Sequence, residues 1–239
     1  MDEKKKIDMD IADAMIEKPY GFSLGDRHFY IYPTTLGKTV LLKPNIDALG
    51  IDSEKLRVNP FLEALRIVEA NKEQSCRVIA YHTLRGRQDV FDNEKVQEIT
   101  NYLCNEAEKE DIASILLSVL MSDKTAVFIK HLGIDKEQDR LRQVQKVKKN
   151  KNEFSFGGQS VYGTLLDYAC ERYGWNLDYI LWGISYTNLQ LMMADKMQSV
   201  FLSDDELKHV SPALLHSASE RIKADDPKNK ELIKQMDWR

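Results

Sequence analysis

The sequence predicts a mainly α-helical protein: a helical bundle with a small N-terminal β-hairpin, plus a small all-α C-terminal module. Three observations predict it. From Asn59 onward apolar residues recur at spacings of three and four. The strongest strand signal is one short stretch, Phe22–Tyr32. A polar joint, Arg140–Asn152, separates two apolar regions of different character. On these grounds residues 1–139 are expected to form the hairpin and bundle module. Residues 140–158 are expected to be a basic, glycine-containing linker, and 159–239 a helical module with a charged tail.

Taken in order, residues 1–19 are charged, with Ile7, Ile11 and Met15 four apart, and read as a short helix or an arm. In Phe22–Tyr32, Gly25-Asp26 supplies a tight turn and Phe29-Tyr30-Ile31-Tyr32 enriches the second strand. Pro33 ends that strand. Thr34 or Thr35 then caps a helix through Leu36–Lys43 that Pro44 is expected to stop or kink. Asn59-Pro60 opens the next helix, whose stripe of Phe61, Ala64, Leu65 and Val68 should face a core. The pattern continues, broken near Asn71, to Gly86.

A further helix starts at Asp92 or Asn93, and another carries Ile112, Ile115, Leu116, Val119 and Leu120. Ala126–Leu132 is a shorter piece ended by Gly133. In the last module Val161–Tyr173 is helical and stopped by Gly174, and Asn176 caps the next helix, which Gly183 bends. A stripe of Leu189, Met192, Met193, Met197, Val200 and Phe201 follows, and Ser203-Asp-Asp-Glu206 has capping-box spacing. Arg221–Arg239 is charged and expected to be mobile or weakly helical.

A net charge of −4 with interspersed signs argues against a dedicated nucleic-acid or membrane-surface protein. The N-terminus has no apolar segment of the signal-peptide kind, and no apolar run approaches the ~20 residues of a membrane span. Cys76, Cys104 and Cys170 are widely spaced, as expected of reduced thiols. The chain therefore reads as soluble and cytoplasmic.

No catalytic, cofactor or metal site is expected. Gly37-Lys38-Thr39 resembles the end of a phosphate loop, but the glycine needed five positions earlier is Tyr32. His28, His82, His131, His209 and His216 lack paired-ligand spacing with one another or with the cysteines. Asp167 and Glu171, one helical turn apart, read as solvated. The basic residues Arg140, Arg142, Lys146, Lys148, Lys149 and Lys151 lack interleaved aromatics and read as a linker. The candidate site is instead a partner-binding face of Trp175, Tyr179, Trp182, Tyr186, Leu189, Met192, Met193, Met197 and Phe201. Methionine and aromatic side chains there suit varied apolar partners.

Two segments resemble a known family. Thr34-Thr35-Leu36-Gly37-Lys38-Thr39 after a strand, then a bundle and a Lys/Asn-rich joint, resembles the N-terminal part of tail assembly chaperones of long-tailed bacteriophages and prophages. Arg172-Tyr173-Gly174-Trp175, Asp178-Tyr179-Ile180-Leu181, Asn188-Leu189 and Met193-Ala194-Asp195 resemble their C-terminal extension. The longer extension and the charged tail past Ser203 depart from the family pattern. The resemblance implies a non-enzymatic protein of the bacterial cytoplasm that binds the tape-measure protein and recruits tail-tube subunits. It also implies an extension added by ribosomal frameshifting, and Lys146–Lys151 suits A-rich codons. A homo-oligomer is expected, and neither membrane nor nucleic acid is an expected partner. The competing readings are a nucleic-acid-associated protein using residues 140–151 and a small enzyme with a non-local site around His82 and His131. A third is a structural component that stays in the virion.

Overall fold

A computed structural model describes residues 3–148, 160–211 and 214. Helix α1 spans Glu3–Met15, and strands β1 (Tyr20–Leu24) and β2 (Arg27–Ile31) form an antiparallel hairpin with Leu24 opposite Arg27. Gly25 turns it with φ +56°, and a side chain there would meet the Tyr102 hydroxyl at 2.8 Å. That hydroxyl lies 3.0 Å from the Leu24 carbonyl and 2.9 Å from the Asp26 carboxylate, so the turn is clamped from below.

Helix α2 runs Leu36–Asp47 and is capped by Thr35. It continues through Pro44, where an end or kink was expected. A short α3, Ser53–Val58, capped by Asp52, was not anticipated. Asn59 and Pro60 open α4, Pro60–Ala70, as expected. Its buried face is Glu63, Ala64, Ile67 and Val68, while Phe61 is exposed and Leu65 half-buried, so the helix is turned from the expected stripe. Glu63 makes this possible. Its carboxylate takes Arg66 at 2.6 and 2.8 Å and the Asp52 N–H at 2.8 Å. Arg66 foremost, then that N–H, hold its pKa below the usual carboxylate value against the opposing effect of burial.

Helix α5 is Lys72–Thr83, and α6, Arg87–Phe91, is a further short turn. Helices α7 (Asn93–Glu106), α8 (Lys109–Leu120) and α9 (Thr125–His131) follow the predicted pattern closely. The bundle core forms where α5 packs on α7 and α4 on α8. Ala64, Ile67, Cys76, Val78, Ile79, Leu103, Ile112 and Leu116 are fully sealed there.

Helix α10, Ile134–Val147, covers residues 140–147 of the expected linker. Arg140 and Arg142 pair with Glu137 and Asp139 one turn back, so the first two cations of the run find counter-charges on the preceding turn of the same helix. The remainder of the 140–158 joint, from Lys149, lies outside the described residues, as does Arg221–Arg239. Helix α11 is Val161–Tyr173, ended by Gly174 at φ +65°. A π-helical turn, Tyr179–Gly183, follows, with the Tyr179 N–H donating to Asn176 Oδ1. Helix α12, Tyr186–Ala194, stops before Met197, Val200 and Phe201, so the expected stripe is not one continuous helix. Helix α13, Asp204–Leu207, opens on the predicted capping box of Ser203 and Glu206.

The chain divides into two compact units along lines other than the basic joint. One is Met1–Ile134 with Phe156–Lys196, and the other is Asp135–Ser155 with Met197–Arg239. Helices α11 and α12 thus belong with the bundle rather than with the tail. Among the described residues no single helix is long and apolar enough to cross a membrane.

Candidate interaction surface

The site begins at the Thr34–Thr39 segment. Thr35 accepts from the Lys38 N–H and starts α2, while the Thr34 carbonyl accepts the Tyr186 N–H at 2.8 Å. Thr35 and Ser185 form an antiparallel bridge between the two segments. At Gly37 a side chain would meet the Leu181 carbonyl at 2.8 Å and the Trp182 ring at 2.9 Å. Glycine is present there because the π turn lies directly against α2. Gly183 is required similarly, since a Cβ would stand 2.4 Å from the Tyr179 ring.

Lys38 is buried, and its ammonium donates to the Leu84 carbonyl at the C-terminal end of α5. Burial pushes its pKa down to about 8. The cation caps helix carbonyls, which is the favoured end of the helix dipole. This arrangement leaves no phosphate loop: Gly37 and Lys38 lie inside a helix, one against Trp182 and the other against α5. His82 is buried beside it. The Val78 carbonyl can only accept, so His82 Nδ1 carries the proton across 2.8 Å, and burial pushes the ring's pKa down to about 4.

Around Leu36, a second apolar cluster holds Leu165, Ala169, Ile180, Ile184 and Leu189. Half-buried side chains pack over it, among them Trp175, Tyr186, Met192 and Met193. Ring contacts run from Tyr168 to Tyr173 at 5.9 Å, on to Trp175 at 4.7 Å, and on to Tyr179 at 5.1 Å. Arg172 and Lys196 lie over Tyr168 at 6.0 and 5.3 Å. Tyr179 is 43% exposed.

Of the nine residues singled out in the sequence, Trp175, Tyr179, Tyr186, Met192 and Met193 lie on or beside this cluster, partly open to solvent. Leu189 is sealed beneath them as core. Trp182 packs against the bundle core and edge-on to Phe91 at 5.5 Å. Met197 and Phe201, 83% and 85% exposed, belong to the other compact unit. Phe91, half-exposed beside Trp182, escaped sequence reasoning because the short α6 carries too few residues for a periodic signal.

A cavity of about 600 Å³ opens in the same unit, lined by Leu42, Ile46, Phe128 and Tyr186 with Asp10 and Asp13 of α1. His82 borders it, whereas His131 is not among its lining residues and is held 2.7 Å from Asp8. The two histidines of the enzyme reading are therefore not gathered in one pocket. Among the described residues no group of three or more histidines, cysteines or carboxylates is placed to hold a metal ion. Compared with known proteins, the chain matches no family model, no curated protein and no solved structure.

Proposed function

We propose that this chain is a tail assembly chaperone of a long-tailed bacteriophage or prophage, acting without catalysis in the bacterial cytoplasm. It holds the tape-measure protein and recruits tail-tube subunits. One observation carries the reading. Two segments that carry the resemblance are distant in sequence yet meet, since a side chain at Gly37 would stand 2.8 Å from the Leu181 carbonyl. That contact makes the two segments parts of one folded unit, and this supports reading them together. The half-open cluster of Trp175, Tyr179, Tyr186, Met192 and Met193 then offers adaptable apolar area for a partner.

Co-expression with a phage tape-measure protein tests the reading. Co-purification and a raised soluble yield are expected; an unchanged yield with no co-purification would overturn it. A chain with Tyr179→Ser and Met193→Ser should keep the tape-measure protein and lose the tube subunit.

A further inference from the structure

The cavity of about 600 Å³ lies wholly within one compact unit, bounded by α1, β2, α2 and α8, with Phe128 of α9 and Tyr186 of α12 completing its wall. Protein interiors are otherwise close-packed, and this volume falls in the range of small-molecule sites, far above the room a single water needs. The wall is mainly apolar, and Ile31, Leu42, Val119 and Phe128 in it are all buried. Water held against such a surface keeps few hydrogen bonds, so an apolar body that replaces it gains free energy.

The polar groups of the wall decide what that body must carry. Both of its lysines are engaged, Lys18 by Asp13 at 3.1 Å and Lys124 by Asp10 at 2.8 Å. The hydroxyls of Thr39, Ser118 and Ser122 donate to backbone carbonyls one turn back. His82 is different. It is only 4% exposed, its Nδ1–H is used on the Val78 carbonyl, and its Nε2 has no hydrogen-bond partner among the described residues. Nε2 is nonetheless not among the sealed unpaired atoms, and the open space that His82 borders is this cavity. Burial keeps the ring neutral, so Nε2 is a bare acceptor. A buried acceptor without a donor costs free energy that a donor on a ligand recovers.

We propose that this cavity binds a small uncharged molecule, a mainly apolar body carrying one hydroxyl or N–H that donates to His82 Nε2. An anion is disfavoured, because Asp10, Asp13 and Asp123 outnumber the two lysines of the wall and both lysines are already paired or close to paired with Asp10 and Asp13. Any full charge would also lose its hydration against the apolar surface. An apolar molecule without a donor fits the volume but leaves the acceptor bare. Of the half-open cluster around Trp175, only Tyr186 is shared with this wall, and the inference does not rest on the chaperone reading.

The test titrates three probes of one shape into the unmodified full-length chain: naphthol, its methyl ether, which lacks the donor, and naphthoate, which is anionic. Calorimetry should show saturable binding of naphthol. The methyl ether should bind roughly three- to tenfold more weakly, the worth of one buried hydrogen bond, and naphthoate more weakly still. In the same titration of chain labelled with nitrogen-15 histidine, the Nε2 resonance of His82 should move as its lone pair takes the hydroxyl, while those of His28 and His131 stay. Absence of saturable binding, equal affinity for naphthol and its ether, tighter binding of naphthoate, or an unmoved His82 resonance each overturns the proposal. Every arm uses the native sequence, so no outcome turns on whether a variant folds. No phage protein enters the titrations, so their failure is separate from failure of the chaperone reading.

Discussion

The bundle core and the cluster around Leu36 differ in how they are closed. Between α4, α5, α7 and α8 the apolar side chains are aliphatic and sealed, and helices on several sides exclude water. Around Leu36 a few sealed residues lie beneath aromatic and methionine side chains that keep one face open. The first arrangement maximises buried area for stability, and the second holds area in reserve. Burial is worth ~25 cal/mol per Å² of apolar surface wherever it occurs, so half-open side chains are where a partner gains most.

Emptying the sealed core should have the largest effect. Leu103→Ala or Ile112→Ala should cost ~2–5 kcal/mol, read from denaturant unfolding, because each is fully buried and the void collapses only partly. A loss below ~1 kcal/mol would show the bundle to be as loose as the open cluster.

Acid should act on the bundle side next. His82 has its pKa lowered to about 4 from an ordinary 6.5, so the folded state disfavours the proton. Its contribution is complete above pH 6.5 and is lost as pH falls toward 4, where the unfolded chain binds a proton that the folded chain refuses. That amounts to on the order of 3 kcal/mol across the window. Stability profiles of the unmodified chain and His82→Gln should differ in slope between those pH values; parallel profiles would refute it.

On the open side, Gly37→Ala should cost ~1–3 kcal/mol, since the added carbon meets the Leu181 backbone carbonyl as well as the Trp182 ring. Hydrogen exchange should quicken in the π turn and α12 more than in α5 and α7. The smallest effect belongs to Met197→Ser and Phe201→Ser, each expected within ~0.5 kcal/mol because both side chains are largely solvated already. A larger thermal shift would mean that they are structural.

Much of the secondary structure was legible in the sequence because its signals are local. Asn59-Pro60, Asp92, Ser203 and Gly174 stop or start helices where their side chains or positive φ satisfy backbone groups within a few residues. Reading failed where a distant partner decided the outcome. Glu63 falls outside the apolar stripe read for α4, and its burial rests on Arg66 and the Asp52 N–H, with which the turned face of the helix goes. The basic run after Asp139 read as a linker because its pairing with Glu137 and Asp139 becomes favourable only once the segment is helical. The aromatic and methionine residues of the candidate face were visible as a composition, but their division into sealed, half-open and exposed positions was not.

Local signals in the chain sufficed for the mainly helical class, the hairpin and most helix starts and stops. Those depend on backbone capping and periodicity, whose range is a few residues. Long-range packing is what sets Thr34–Thr39 against the π turn, Lys38 at the end of α5, and α11 and α12 in the bundle's unit. Such pairings are set by which surfaces fit and which buried polar groups find partners, and neither quantity exists until the chain has closed on itself.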